Sequence, residues 1–356
     1  MSQPASRYIA LSPSAQAAYA QLFDAAQAVE LTRSVANLRG SFAAKTVKGR
    51  KYWYFQFSAG GKLRQIYVGP DSPHVLQLIE RRDDARALQA LEPLARAAIV
   101  LGCGGMLLPH FRVVARLADH GFFKTGGVLV GTHAFLAFGN MLGARWGDAS
   151  RTQDVDFAHA GKSLEIALPA NLEIDTRAAI ESLKMGFLPL TSSDGKAGAS
   201  WLSERDPDFQ LDFLTTLHRG GSEPYRHKQL GILLQPLKFM EYLLQDTQQA
   251  VLFCNDGAVL VNVPHPARYA LHKLIVAGER SATRAAKSNK DLRQSAALLA
   301  VYGERSDRDV REAWRELLAR GPGWRTRALS GRAALAKLAP EIDLDDLLPA
   351  PLRKKR

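Results

Sequence analysis

At 356 residues and 46% hydrophobic, the chain is long enough for two or three packed units with a sizeable core, and it has no run of about 18 apolar residues to cross a membrane. Its two cysteines, Cys103 and Cys254, lie far apart without zinc-ligand spacing, so neither a zinc site nor a disulfide framework is indicated and two buried thiols are expected. The net charge of +12 splits into about +5 over residues 1–95, about −2 over 96–263 and about +9 over 264–356, a near-neutral middle suited to holding cations between basic ends suited to a polyanion.

The start lacks a basic segment followed by an apolar one, so no signal peptide is expected and a cytoplasmic location is. Residues 12–37 are Ala-rich with helical spacing, capped by Ser12 or Ser14. Two β-prone runs, Tyr52 to Phe57 and Leu63 to Val68, flank Ala59-Gly60-Gly61 and predict a hairpin that Gly69-Pro70 ends. Aromatic residues interleave there with Lys48, Arg50, Lys51, Lys62 and Arg64, a composition able to stack bases and hold phosphates. Alternation leaves only one face free for that, the other being core. Lys51, Trp53 and Arg64 are the candidate contacts to a nucleic acid. Residues 74–97 and 97–120 have helical spacing, the second loosened at its start by Gly102, Gly104 and Gly105.

From Gly126 to Gly131, GGVLVG predicts a short buried strand, and Thr132 to Leu142 a helix. DVDFA and KSLEIAL read as strands, and DTRAAIESLKMG as a helix ending at Gly186. Ala199 to Glu204 and Phe209 to Leu217 form a second hairpin across Asp206-Pro207-Asp208. Beyond residue 264 the pattern is helical, with spans near 266–279, 287–302, 308–319 and 331–339 and a break at Gly321-Pro322-Gly323. The fold class is α+β (mixed α/β). Its expected divisions are a helix and basic aromatic hairpin over 1–95, a catalytic core over 96–220, a mainly helical domain over 221–350 and a basic tail over 351–356.

Asp154 and Asp156 stand two apart on a predicted strand, so both carboxylates leave the same face. Such a pair is costly on an apolar strand unless a cation neutralises it. Mg²⁺, with Mn²⁺ as its substitute, suits these hard oxygen donors. Alone the D-x-D spacing is a weak signal, but two neighbours strengthen it. Gly131-Thr132 lies where a strand turns into a helix, a place for a phosphate to meet main-chain N–H groups and a hydroxyl. Asp212 is a carboxylate between Leu211 and Phe213 on another apolar strand. Three carboxylates beside a phosphate turn suit two-metal nucleotidyl transfer. His133 is expected to pack within its helix rather than react. No phosphate-loop, HExxH or G-x-S-x-G signature occurs.

The stretch GTHAFLAFGNMLGARWGDASRTQDVDF resembles the signature of polymerase β-like nucleotidyltransferases, in which a glycine turn and helix precede Asp-hydrophobic-Asp-hydrophobic. The long gap and Arg151-Thr152 are similar to the bacterial AbiEii/MenT-type minimal branch, some of whose members are toxins of toxin–antitoxin pairs. ARYALHKLIVAGERSATRAAKSNKDLRQSAALL resembles that branch's later motifs. The resemblance implies Asp154, Asp156 and Asp212 as catalytic metal ligands, with Gly131, Thr132, Arg151 and Lys273 toward the nucleotide phosphates. Asp291 would support the site, and Lys290 and Arg280 would be auxiliary. It implies transfer of an NMP from an NTP to a hydroxyl with release of pyrophosphate. RNA, a tRNA 3′ end among its forms, is the favoured acceptor, and an antitoxin-like protein is an implied partner. The turn departs from the pattern, with Val130 where many relatives carry a second glycine. Nucleotidylation of a protein or a small molecule such as an antibiotic, and a non-catalytic nucleic-acid-binding module, stand as alternatives.

Overall fold

The computed structural model of the protein describes residues 7–36, 41–59, 62–80, 90–147, 154–160, 174–191, 197–217, 221–279, 285–305 and 308–351. The KSLEIAL segment and the basic tail after Leu352 lie outside these residues, as do Arg151 and Arg280.

Strand β1 (Tyr8–Ala10) leads into helix α1 (Pro13–Ala36). Ser12, not Ser14, caps it, its Oγ accepting from the Ala15 N–H at 3.2 Å, with Pro13 at a first-turn position where its missing N–H costs nothing. The expected hairpin forms from β3 (Arg50–Ala59) and β4 (Lys62–Pro70). A third strand, β2 (Ser41–Val47), pairs with β3 across a tight turn in which Lys48 and Gly49 both have positive φ, 50° and 77°. That two-residue geometry matches the twist of a hairpin, and glycine makes its second position easy. Helix α2 (Pro73–Glu80) follows and buries Val75.

Helix α3 (Leu91–Val100) and helix α4 (Leu108–Asp119) are separated at the glycine cluster, where Gly102 turns to φ 109°. The core begins with β5 (Gly127–Leu129), helix α5 (Gly131–Met141), β6 (Ala144–Trp146) and β7 (Val155–His159). Helix α6 (Thr176–Ser182), capped by Asp175, leads to the second predicted hairpin, β9 (Ala197–Ser203) with β10 (Gln210–Thr216), and β8 (Phe187–Thr191) pairs beside β9.

With β11 (Tyr225–Arg226) and β12 (Leu233–Leu237) these strands form one mixed sheet, ordered β11-β12-β10-β7-β5, with β9 also on β10. Strand β10 runs parallel to β7 along one edge. Its other edge is shared, antiparallel β9 taking the first half and parallel β12 the second. On one face Phe157 and Phe213 stack with centroids 5.3 Å apart, both buried, which anchors β7 to β10 in register.

After the short helix α7 (Met240–Leu243) comes a long hairpin, β13 (Thr247–Cys254) with β14 (Gly257–Pro264). It lies within the stretch expected to be mainly helical, and its composition explains why. Both faces of the hairpin are buried, Val251, Phe253 and Leu260 against α1 and α3, and Leu252, Val261 and Val263 against the main core. A strand covered on both faces loses the alternation that marks it in a sequence. Cys103 and Cys254 are buried free thiols, as expected.

The remaining helices are α8 (Pro266–Glu279), α9 (Ala285–Arg305), α10 (Arg308–Ala319), α11 (Pro322–Leu338) and α12 (Leu344–Leu347). Pro322 opens α11, so the predicted break is its N-terminus and the helix starts earlier than the expected 331. Helices α8 and α11 cross at two glycines. A Cβ on Gly331 would stand 2.1 Å from the Leu274 carbonyl oxygen, and one on Gly278 2.3 Å from that of Arg327. No helix among the described residues is long and apolar enough to cross a membrane.

Candidate functional site

Strand period two brings the sequence's carboxylates together. Asp156 on β7 and Asp212 on β10 are direct partners in the parallel register, so they share the face opposite the stacked phenylalanines. Asp154, two residues before Asp156 at the open end of β7, is exposed, while Asp156 and Asp212 are half-buried. Burial, then the Asp212 charge, pushes the Asp156 carboxyl up to about 6; Asp154 adds to this and Lys273 and Lys290 oppose it. Asp154 is raised by the same two leading causes. Such mutual repulsion marks a face that gains from an added cation. Among the described residues no three His, Cys, Asp or Glu side chains form a metal cluster by themselves. Carboxylate oxygens that hold Mg²⁺ commonly do so together with substrate phosphates, and this donor set suits that sharing.

The predicted phosphate turn lies against these carboxylates. Val130 N–H donates to the Asp156 main-chain oxygen at 2.9 Å, and Gly131 opens α5 with φ 63°. A Cβ on Gly131 would stand 1.9 Å from Asp156 Oδ2. Only glycine both adopts that φ without strain and leaves the carboxylate its place. Gly131→Ala is therefore expected to lose about 2 kcal/mol or more of stability, combining left-handed strain with the clash. Urea denaturation checks this, and an Ala variant as stable as the parent would show that the turn does not press on Asp156.

Helix α8 closes the other side. The Tyr269 hydroxyl donates to the Gly131 carbonyl at 2.8 Å and also lies 2.9 Å from Gln294 Oε1, while Gln294 Nε2 reaches Thr132 Oγ1 at 3.4 Å. Thr132 is buried and tied into this network. One turn after Tyr269, Lys273 bonds Asp291 at 2.6 Å, with side-chain exposures of 17% and 7%, and its ammonium lies 5.1 Å from the Tyr269 ring centre. Burial works against the Lys273 charge, but Tyr269, Asp291 and Asp156 outweigh it and hold the ammonium above the usual lysine range. Burial and then Lys273 push Lys290 down.

His133 packs as expected. Its Nε2 lies 3.0 Å from His110 Nδ1 in a buried pair, and burial followed by His110 pushes it down to about 3, so the imidazole is neutral. The structure thus brings Asp154, Asp156, Asp212, Gly131, Thr132, Lys273 and Asp291 into one neighbourhood, and Arg151 lies outside the described residues. Lys51 and Trp53 are elsewhere and engaged with Asp71, the Trp53 Nε1–H donating at 2.6 Å and Lys51 lying 3.6 Å away. Arg64 is on β4 of the same sheet.

Four partners were not singled out by sequence. Ser200 and Gln210 both donate to Asp212 Oδ1, Gln210 at 2.8 Å. Tyr269 and Gln294 hold the glycine turn. Gln210 stands two residues before Asp212 on one strand face, and Tyr269 four before Lys273 on one helix face, so spacing could have flagged both. Ser200 depends on hairpin register and had no such signal.

A mixed sheet carrying paired carboxylates beside a glycine-opened helix, with a buried lysine nearby, is an arrangement suited to moving groups between nucleotides and acceptors. The family is particular: residues 109–319, more than half of the chain, match the family described as nucleotidyltransferase, and the chain belongs to it. Residues 19–77 match a domain of unknown function (DUF6788). No curated protein and no solved structure matches the chain. Transfer of a nucleoside monophosphate is accordingly its general activity.

Proposed function

We propose that the protein moves an NMP from an NTP to a hydroxyl of RNA, a tRNA 3′ end being the leading form, and releases pyrophosphate. The observation that carries this reading is the register of Asp156 with Asp212 on one strand face, with Gly131 seated directly on the Asp156 carboxylate. Asp154, Asp156 and Asp212 would hold Mg²⁺, or Mn²⁺ in its place. When bound, the metal supplies charge neutralisation to the triphosphate and acidifies the attacking hydroxyl.

The chain's own groups divide the remaining work. The Gly131 turn and the start of α5 offer main-chain N–H groups to the phosphates. Lys273 supplies fixed positive charge beside them, oriented by Asp291 and the Tyr269 ring. Ser200 and Gln210 fix the Asp212 carboxylate by two donated hydrogen bonds. The acceptor hydroxyl gives up its proton to water, its oxygen bonds to the α-phosphorus, the bond from that phosphorus to the oxygen bridging to the β-phosphate breaks, and pyrophosphate leaves with that electron pair. Basic residues at both ends of the chain favour a polyanionic acceptor over a neutral small molecule.

The test is incubation of the purified protein with Mg²⁺, each labelled NTP in turn, and total bacterial RNA and protein, beside Asp154→Ala. Label in an RNA band that the variant loses is the expected result and names the nucleotide. Label confined to protein would replace RNA as the acceptor class, and no label with any NTP and either metal would overturn the reading. A toxin role, with an antitoxin-like partner and kinship to the AbiEii/MenT-type branch, is proposed on the sequence motifs. It requires that expression arrest bacterial growth and that Asp154→Ala relieve the arrest.

A further inference from the structure

The N-terminal sheet has two unlike faces. Pairing register places Phe42 opposite Phe55, and Trp53 is on the same side, as alternation along β3 requires. On that side Phe55 is buried, the two phenylalanine rings meet at 5.2 Å, and half-buried Trp53 is held by Asp71 and Lys51. On the opposite face Lys45 is paired with Tyr52, Tyr54 with Tyr67, and Gln56 with Gln65. A bulge between Trp53 and Tyr54 leaves Val68 as the extra residue and brings Tyr67 beside both tyrosines of β3. Ring centres lie 5.6 Å apart for Tyr54–Tyr67 and 6.2 Å for Tyr52–Tyr67.

Of the three tyrosines on this face, Tyr52 and Tyr54 are half-buried. Tyr67 is 54% exposed, and Val47 and Leu63 on the same side are 48% and 68% exposed. The rings meet at 64° and 50°, so they do not cover one another's flat surfaces. The Lys45 ammonium lies 5.1 Å from the Tyr54 ring centre, and Arg50 is exposed on this face at the start of β3. Charge complementarity then selects the occupant. Residues 31–70 hold eight Lys or Arg and no Asp or Glu, which suits a polyanion and repels a basic partner. Stacking surfaces bordered by cations bind bases that are not already paired, since a duplex hides its base faces.

We propose that the Tyr52, Tyr54 and Tyr67 face of the β2–β4 sheet is a platform for single-stranded nucleic acid, with Lys45 and Arg50 beside its phosphates. This assigns a role to the segment matching a domain of unknown function. It replaces Lys51 and Trp53, which lie against Asp71, as the contacts on this sheet. It deepens the acceptor half of the proposed reaction and rests on it only for its purpose, since the binding needs no catalysis.

The experiment uses the full-length protein and fluorescence anisotropy with labelled oligo(U), oligo(dT) and a duplex, each of about 12 nucleotides. Single strands should bind better than duplex, with steep loss of affinity as salt rises. Tyr52→Ala/Tyr54→Ala should weaken binding by about thirty-fold or more, whereas Tyr52→Phe/Tyr54→Phe, which keeps the rings, should stay within about threefold. Lys45→Gln should reduce the salt slope by about one. Circular dichroism verifies that the variants fold, and the Phe pair separates lost stacking from lost structure. Unchanged binding by the Ala pair, or duplex bound as tightly as single strands, would overturn the platform. Absence of binding to any of the three would do so too and point to a protein partner. Asp156→Asn should bind as the parent does, so failed transfer and failed binding are told apart.

Discussion

Replacing Asp156 with Asn is expected to cut nucleotidyl transfer by about 10³-fold, the scale for losing a group that acts in the transition state, while raising the melting temperature near neutral pH. The stability gain follows from linkage. Asp156 titrates near 6 in the folded protein, held up by burial and by Asp212, against about 3.9 in an unfolded chain. Between those values the folded state binds more protons than the unfolded one, so stability falls as pH rises from about 4 to about 6. The full penalty, on the order of 3 kcal/mol at most, persists above that window. Asn cannot ionise and avoids it. The advantage of Asp156→Asn should therefore be largest near pH 7.5 and vanish toward about pH 4. Thermal melts across that range, beside a transfer assay, check both halves. Parental transfer rates in the variant would remove Asp156 from the reaction, and a melting difference that ignores pH would remove the repulsion.

Lys273→Met should lower stability by about 3–5 kcal/mol and abolish productive NTP binding. Most of that loss belongs to Asp291, whose side chain is only 7% exposed and whose ammonium partner at 2.6 Å would be gone. Breaking one half of a buried pair leaves a charge with poor solvation, which costs more than the pair was worth. The double variant Lys273→Met/Asp291→Leu should accordingly recover much of the lost stability and none of the activity. Urea denaturation with NTP titration reads both quantities. A double variant no more stable than the single one would show that Asp291 does not depend on this lysine.

The carboxylates were legible in the sequence because strand periodicity is local. Asp154 and Asp156 needed only a spacing of two, and Asp212 only an apolar strand around it. The glycine turn was legible for a similar reason, since a strand must stop and a helix start at Gly131. What depended on pairing was not. Which aromatics share a side with Tyr67 is decided by strand pairing, and the Asp71 partner of Trp53 lies beyond the hairpin, so neither could be read from the local run. The bulge that gathers Tyr67 with Tyr52 and Tyr54 has no local signature either. Strands β13 and β14 were hidden because their paired halves, Ala250 to Cys254 and Gly257 to Val261, are apolar and buried on both sides.

Where α8 and α11 touch at Gly278 and Gly331, main chain rests on main chain and no side chain can flex to absorb a shift. Helix α8 also carries Tyr269 and Lys273, so this crossing acts as a rigid fence behind the lysine. A fragment ending before Pro322 would keep every residue named for the reaction yet lose the fence that sets how far the ammonium stands from β7. Such a fragment is expected to keep the family's matched residues 109–319 and to lose the support beneath α8, although α11 gives the site no reacting group.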